Sequence, residues 1–147
     1  MRLLIQRVSE ASVTIDRVIT GQINAGLLVL VGITHTDTEK DVDFLVDKCV
    51  NLRIFEDENG KMNRSVQDID GELLIVSQFT LYGDASHGRR PGFTDAARPE
   101  TAIPLYELFI EKCRHWVKNV QTGRFGADMK VALLNDGPVT LMVESRK

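Results

Sequence analysis

Two hydroxyls offer the first chemistry in this chain. Ser77 and Thr80 lie in Ser77-Gln78-Phe79-Thr80, which closes an apolar run. A hydroxyl at the C-terminal end of a buried strand can face a cleft and attack an acyl carbon, provided a base takes its proton. The sequence offers no such base nearby. The alternative is that both side chains satisfy backbone groups of a turn. A second segment, Asn135-Asp136-Gly137-Pro138-Val139-Thr140, has the composition of a tight turn, since Asp-Gly and Gly-Pro both suit one.

The three histidines, His35, His87 and His115, are not at metal-ligand spacing from one another or from a cysteine, so no metal site is expected. Gly83 to Gly88 lacks the lysine and spacing of a phosphate-cradling loop. His87, Arg89, Arg90 and Arg98 give the stretch from Gly83 to Pro99 a positive bias. Such a cluster is either merely solvated or a contact for phosphate. Phe125 and Met129 could stack on a base, although strand residues of these types usually belong to the core.

The elements that position these groups come from a chain of ordinary globular composition. It has 147 residues, 43% hydrophobic and 27% charged, with a net charge of −3. That length corresponds to a single domain spanning 1–147. The negative balance argues against wholesale coating of a nucleic acid, DNA included, but leaves room for a local basic patch. No charged leader precedes an apolar stretch, and no apolar run approaches the roughly 20 residues that span a bilayer. The expectation is a cytoplasmic protein without a membrane partner. Cys49 and Cys113 fall in helical periodicity and are expected as buried free thiols.

Residues Met1 to Ile15 alternate loosely and predict two short strands around Ser9-Glu10-Ala11. Val18 to Ile23 predicts a third. Gly26 to Ile33 is continuously apolar, the mark of a central strand buried on both faces. Thr36 to Glu39 resembles a capping box. A helix should follow, with Val42, Leu45, Val46, Cys49 and Leu52 facing the core. Arg53 to Phe55 predicts a strand ended by the turn Asp57 to Gly60. Leu73 to Val76 predicts a second buried strand, delivering Ser77 to Thr80 at its end. After the long loop, a second helix should present Leu105, Leu108, Phe109, Cys113, Trp116 and Val117 on one face. Its first turn holds Pro99 or Pro104. Met129 to Leu134 and Val139 to Val143 predict a hairpin around Asn135 to Pro138. The fold class is α/β, with strand-rich mixed sheets and two main helices packed on them.

The whole chain also resembles the D-aminoacyl-tRNA deacylases. The resemblance rests on Gln6-Arg7-Val8-Ser9 with Ala11-Ser12-Val13, then Asn51 to Phe55, Gly60-Lys61-Met62-Asn63 and Ser77 to Tyr82. It continues through Arg89-Arg90-Pro91, Phe93 to Ala97, Gln121 to Met129 and Asn135 to Thr140. Gly92 departs from a common serine and Gly83 from a common alanine. Arg17 to Gln22 matches loosely.

The resemblance implies a cytoplasmic homodimer that needs no cofactor. It would hydrolyse the ester joining a D-amino acid, and also glycine, to the 3′ end of tRNA. It implies that Gly137-Pro138 carries a cis peptide and projects into the other subunit's active site, where its carbonyls fill the space an L side chain needs. Ser77, Gln78, Phe79 and Thr80 would line the pocket. Backbone amides of this segment would bind the ester carbonyl oxygen, and Thr80 is an alternative nucleophile. Phe125 and Met129 would flank the terminal adenosine, and Arg7 would hold the Gly-Pro element. With no paired base, catalysis would rest on positioning and oxyanion stabilisation, with the ribose 2′-hydroxyl relaying the proton. Two other functions compete. One is a hydrolase of small esters or D-peptides using Thr80 as nucleophile. The other is a non-catalytic RNA-binding module.

Overall fold

The strand that organises the fold is written most plainly in the sequence. Residues Leu27 to Val31 carry no polar side chain, and they form the heart of β3 (Gly26–Gly32). Both faces of β3 are covered, so the run needs no alternation. A computed structural model describes residues 1–146. In it β1 (Arg2–Ile15) pairs antiparallel with β3 through Arg2 to Val8 and with β2 (Val18–Ile23) through Ala11 to Ile15. The expected pair of strands is therefore one strand. Ser9 and Glu10, exposed between the two pairings, mark where β1 changes partner rather than where it ends.

On the far side of β3, β6 (Glu72–Ser77) and then β7 (Val120–Thr122) add in parallel. β2 curls round to pack beside β6 and β7. A Cβ placed at Gly21 of β2 would lie 2.8 Å from the Thr122 carbonyl oxygen, which shows how closely the mixed sheet approaches closure. Inside the curl, Val8, Val13, Ile23, Leu28, Leu74 and Val76 form one buried cluster. The larger cluster, with Leu3, Ile5, Leu27, Val29, Leu73 and Ile75, lies on the other face beneath the helices.

Both helices sit in crossovers between parallel strands. α1 (Glu39–Asn51) buries Val42, Leu45, Val46 and Cys49, as its spacing requires. Leu52 is the half-buried residue that ends it. Its N-cap is Thr38, not Thr36, and the Thr38 amide donates to the Asp41 carboxylate at 2.8 Å. Asp37 is unavailable to the helix because its carboxylate takes the Met1 ammonium at 2.7 Å and the Thr34 amide at 2.8 Å. A short hairpin, β4 (Phe55–Glu56) with β5 (Met62–Arg64), follows.

α2 (Pro99–Arg114) starts at Pro99, with Pro104 inside. Its buried face is Ala102, Tyr106, Phe109, Ile110 and Cys113, with Leu105 and Leu108 packed at its margin. Trp116, expected on that face, lies beyond the helix end and is 60% exposed. Cys49 and Cys113 are free and buried where α1 meets α2. The neighbouring Cys49 thiol and burial push the Cys113 thiol far above its ordinary range.

The last strand corrects the expected hairpin. β8 (Lys130–Glu144) is a single antiparallel partner of β1 along nearly its whole length. Its other edge has no partner among the described residues. No helix is long and apolar enough to cross a membrane. Among the described residues no cluster of three His, Cys, Asp or Glu could hold a metal ion.

Candidate active site

β6 carries its chain out of the core at Ser77 and hands it to a 3₁₀ turn, Phe79–Tyr82. The Gln78 amide still belongs to the sheet and donates to the Val31 carbonyl at 2.8 Å. The turn then closes on itself, Leu81 donating to the Gln78 carbonyl at 3.2 Å and Gly83 to the Thr80 carbonyl at 2.9 Å. The first amides of a helical turn have no partner inside it. Accordingly, the N–H groups of Phe79 and Thr80 have no protein acceptor among the described residues.

A cavity of about 230 Å³ opens beside this segment. Ser77, Gln78 and Phe79 line one side; Phe125 and Met129, from the segment before β8, line the other. Phe125 precedes the strand rather than lying in it, in the turn after β7. Thr80 stands just outside that lining, and its hydroxyl accepts from the Gln78 side-chain amide. An amide cannot take a proton from that hydroxyl. No imidazole, carboxylate or amine lines the cavity. The nearest histidine by chain order, His87, lies on the exposed loop, and the ring of His35 is engaged with the Thr94 carbonyl at 2.6 Å. What the cavity and its border can offer an ester is the free amide of Phe79, with that of Thr80 next in the chain, and a largely apolar, aromatic wall, the makings of oxyanion stabilisation rather than base catalysis.

One supporting residue was not visible in the sequence. Tyr106, on the buried face of α2, donates its hydroxyl to the Ile75 carbonyl at 3.1 Å and sets its ring 5.9 Å from that of Phe125. Burial pushes its phenol up to about 12, against a partly offsetting backbone hydrogen bond from Ser77. Tyr106 thus ties the end of β6 to the aromatic wall of the cavity. The available signal was a phenol on an otherwise apolar helix face, since a buried tyrosine hydroxyl needs a partner.

Gly137 and Pro138 lie elsewhere. β8 pairs Asn135 with Val8 and Thr140 with Gln6, so Arg7 alone faces the four residues Asp136 to Val139. The excess bulges out of the edge of the sheet with Gly137 and Pro138 exposed. Gly137 has φ +129°, and its peptide bond to Pro138 is cis. The bulge is pinned from below. Arg7, 6% exposed, donates through Nε to the Asp136 carbonyl at 3.0 Å and through Nη1 to the Ile54 carbonyl at 2.6 Å. Asn135 Nδ2 donates to the carbonyls of Arg7 at 3.2 Å and Val139 at 3.0 Å. Within one chain, then, Ser77, Gln78, Phe79, Phe125 and Met129 share a cavity, Thr80 borders it, and Arg7, Gly137 and Pro138 form a separate group.

The model of the D-Tyr-tRNA(Tyr) deacylase family matches residues 4–144. The chain belongs to that family. It is 65% identical over 145 residues to a D-aminoacyl-tRNA deacylase of Brevibacillus brevis, covering 99% of this chain and 100% of the other. It is 60% identical over 147 residues to a D-aminoacyl-tRNA deacylase of Clostridioides difficile, covering 100% and 99%. Among solved structures, the c-Myc DNA unwinding element binding protein superposes with a TM-score of 0.95 at 42% identity, over 100% of both chains. A probable eukaryotic D-amino acid tRNA deacylase shares the fold, with a TM-score of 0.85 at 17% identity over 97% and 98%. The family is one of hydrolases, and this chain is an enzyme of that class.

Proposed function

We propose that this chain hydrolyses the ester between a D-amino acid, or glycine, and the 3′ end of tRNA, as a cytoplasmic homodimer. The observation that carries the reading is a pair of consecutive free amides, Phe79 in the lining of a cavity without any titratable side chain and Thr80 at its border. They are the donors for the ester carbonyl oxygen as it gains charge. Loss of one such donor costs about 3–4 kcal/mol of barrier, so two can supply much of an ester hydrolysis. Gln78 is excluded as a backbone donor by its bond to Val31. Its side chain orients Thr80. Phe125 and Met129 flank the terminal adenosine. The 2′-hydroxyl of the substrate's own ribose relays the proton that no protein group is placed to move.

Chirality needs a rigid obstacle, and the exposed bulge is held by hydrogen bonds from Arg7 and Asn135. In the dimer it enters the partner's cavity and its carbonyls exclude an L side chain. Glycine, with nothing to exclude, is admitted. β8 supports this assembly: Leu134 and Met142 are exposed on a long strand whose outer edge is unpaired, a surface that natural proteins cover. The net charge of −3 does not favour the non-catalytic RNA-binding alternative.

The test is deacylation of matched D- and L-aminoacyl-tRNA, with a substrate ending in 2′-deoxyadenosine and sedimentation of the same sample. The expected result is a dimer, hydrolysis of D- and glycyl-tRNA, little L activity and a poor deoxy substrate. A fully active and selective monomer overturns the cross-subunit filter. Normal turnover of the deoxy substrate together with a dead Thr80→Ala variant establishes Thr80 as nucleophile instead.

A further inference from the structure

Phe79 and Phe93 form an aromatic pair exposed to solvent, 55% and 39% respectively. Their ring centroids are 5.3 Å apart at 72°. Phe79 also lines the cavity, so the pair extends the aromatic wall outward. The position of Phe93 is built. A Cβ at Gly83 would lie 2.9 Å from its ring, so the glycine makes room for it. The chain around it is tethered as well. Asp84 and Gly92 exchange backbone bonds of 2.7 and 2.9 Å, Thr34 Oγ1 donates to the Asp95 carbonyl at 2.5 Å, and Ala97 donates to the Ile33 carbonyl at 2.9 Å. The stretch from Asp84 to Gly92 is thus a closed arm on a fixed base.

The tip of that arm presents Arg89 and Arg90, both exposed and in no ion pair among the described residues. Arg90 is two residues from Gly92, hence within about 7 Å of it along the chain. The acidic groups of the segment are Asp84, whose carboxylate is taken by Ser86, and Asp95. Two free cations three and four residues before Phe93 of an exposed aromatic pair, in a chain of net charge −3, match the chemistry of single-stranded nucleic acid: phosphates on the arginines, a base on the ring.

Resting on the deacylase reading, we propose that this arm grips the unpaired 3′ strand of the tRNA just before its terminal adenosine. Phe93 gives a stacking face to a base, and Arg89 and Arg90 take the adjoining phosphates. The arm would measure the RNA, while the cavity holds the ester.

Two substrates separate the arm from the cavity: D-tyrosyl-tRNA and D-tyrosyl-adenosine, a minimal ester lacking the strand. Phe93→Ala and the double variant Arg89→Gln/Arg90→Gln are compared with the unaltered protein. On the tRNA, kcat/KM should fall about 5- to 150-fold in Phe93→Ala, mainly through KM. On the nucleoside ester it should hold within twofold. In the arginine variant the slope of log kcat/KM against log salt for the tRNA should flatten by about 1.4, the value for two single-strand phosphates. Anisotropy with uncharged tRNA should show the same loss of affinity without any turnover. Equal losses on both substrates would make the arm merely structural, and no loss on the tRNA would remove it from recognition; either overturns the proposal. If the unaltered protein hydrolyses neither substrate, the deacylase reading itself fails.

Discussion

Gly137→Ala tests the bulge directly, and the structure sets its size. The new Cβ would overlap Arg7 Nη2 and lie 3.0 Å from Val139 Cγ2 and 3.2 Å from the Val139 amide nitrogen. The Val139 backbone cannot yield without breaking the register, so the guanidinium must retreat by about an ångström. Its bonds to the Asp136 and Ile54 carbonyls, at 3.0 and 2.6 Å, do not both survive such a move. Losing one hydrogen bond from a charged donor costs about 1.5–3 kcal/mol. Alanine at φ +129° adds about 1–3 kcal/mol of backbone strain. The sum is about 2.5–6 kcal/mol. At about 2–4 °C per kcal/mol for a domain of this size, Tm should fall by about 5–24 °C in thermal unfolding followed by circular dichroism. Displacing a positioning group by that distance should also lower D-aminoacyl-tRNA hydrolysis about 10- to 100-fold. In an Arg7→Met background the overlap with the guanidinium is gone, so the same substitution should cost only the strain and the close contacts to Val139. Unchanged Tm and unchanged D and L rates in Gly137→Ala would refute both the packing argument and the filter.

Thr80→Ala should keep deacylation within about tenfold, because its hydroxyl only accepts from Gln78 and has no base; a loss beyond about a thousandfold would make it the nucleophile. Tyr106→Phe should lower stability by about 1 kcal/mol, since Ile75 keeps the Gly123 amide as a second donor, and the ring of Phe125 should gain mobility in NMR relaxation. Asp41 accepts from Thr38, Ser145 and Arg146, and the Arg146 hydrogen bond chiefly holds its carboxyl well below the usual range. The folded state therefore binds fewer protons than the unfolded chain near pH 4; the stabilisation is complete above the unfolded value near 3.9 and drains away as pH falls. Asp41→Asn should cost about 1–2 kcal/mol at pH 7, and its deficit in urea unfolding should close below about pH 4; a deficit constant from pH 7 to 3 would sink the assignment.

The sequence showed most where burial is two-sided and least where pairing is distant. β3 and β6 are legible because a strand covered on both faces is an unbroken apolar run, and α1 because one covered face leaves a stripe. β1 and β8 misled for one reason. Ser9-Glu10 and Asn135 to Pro138 are polar or turn-forming, and local sequence cannot tell a strand that ends from a strand that changes partner or bulges. Only the pairing of β1 with β8, more than a hundred residues apart, distinguishes them. Trp116 failed differently, since a helical stripe continues on paper after the helix has stopped. At the site, Ser77 to Thr80 stood out as the end of a buried strand. The free amides of Phe79 and Thr80 did not, because backbone donors leave no trace in residue type. Nor could the bond from Arg7 to Asp136 be read from two polar residues 129 positions apart.

The division of the chain into two separate groups has a physical consequence. A cavity that relies on backbone donors accelerates any ester that fits it, because nothing in an amide distinguishes D from L. On the proposed reading selectivity comes from shape, supplied by the exposed Asp136 to Val139 bulge, which Arg7 holds on a strand outside the cavity. Moving that bulge into its own chain's cavity would mean stripping β8 from β1, the longest pairing in the sheet. Bringing it to a second chain's cavity requires only that the open edge of β8, with Leu134 and Met142 exposed, be covered. On the proposed reading, the apolar edge and the chiral element would be one feature: the assembly that hides the edge would also complete the site.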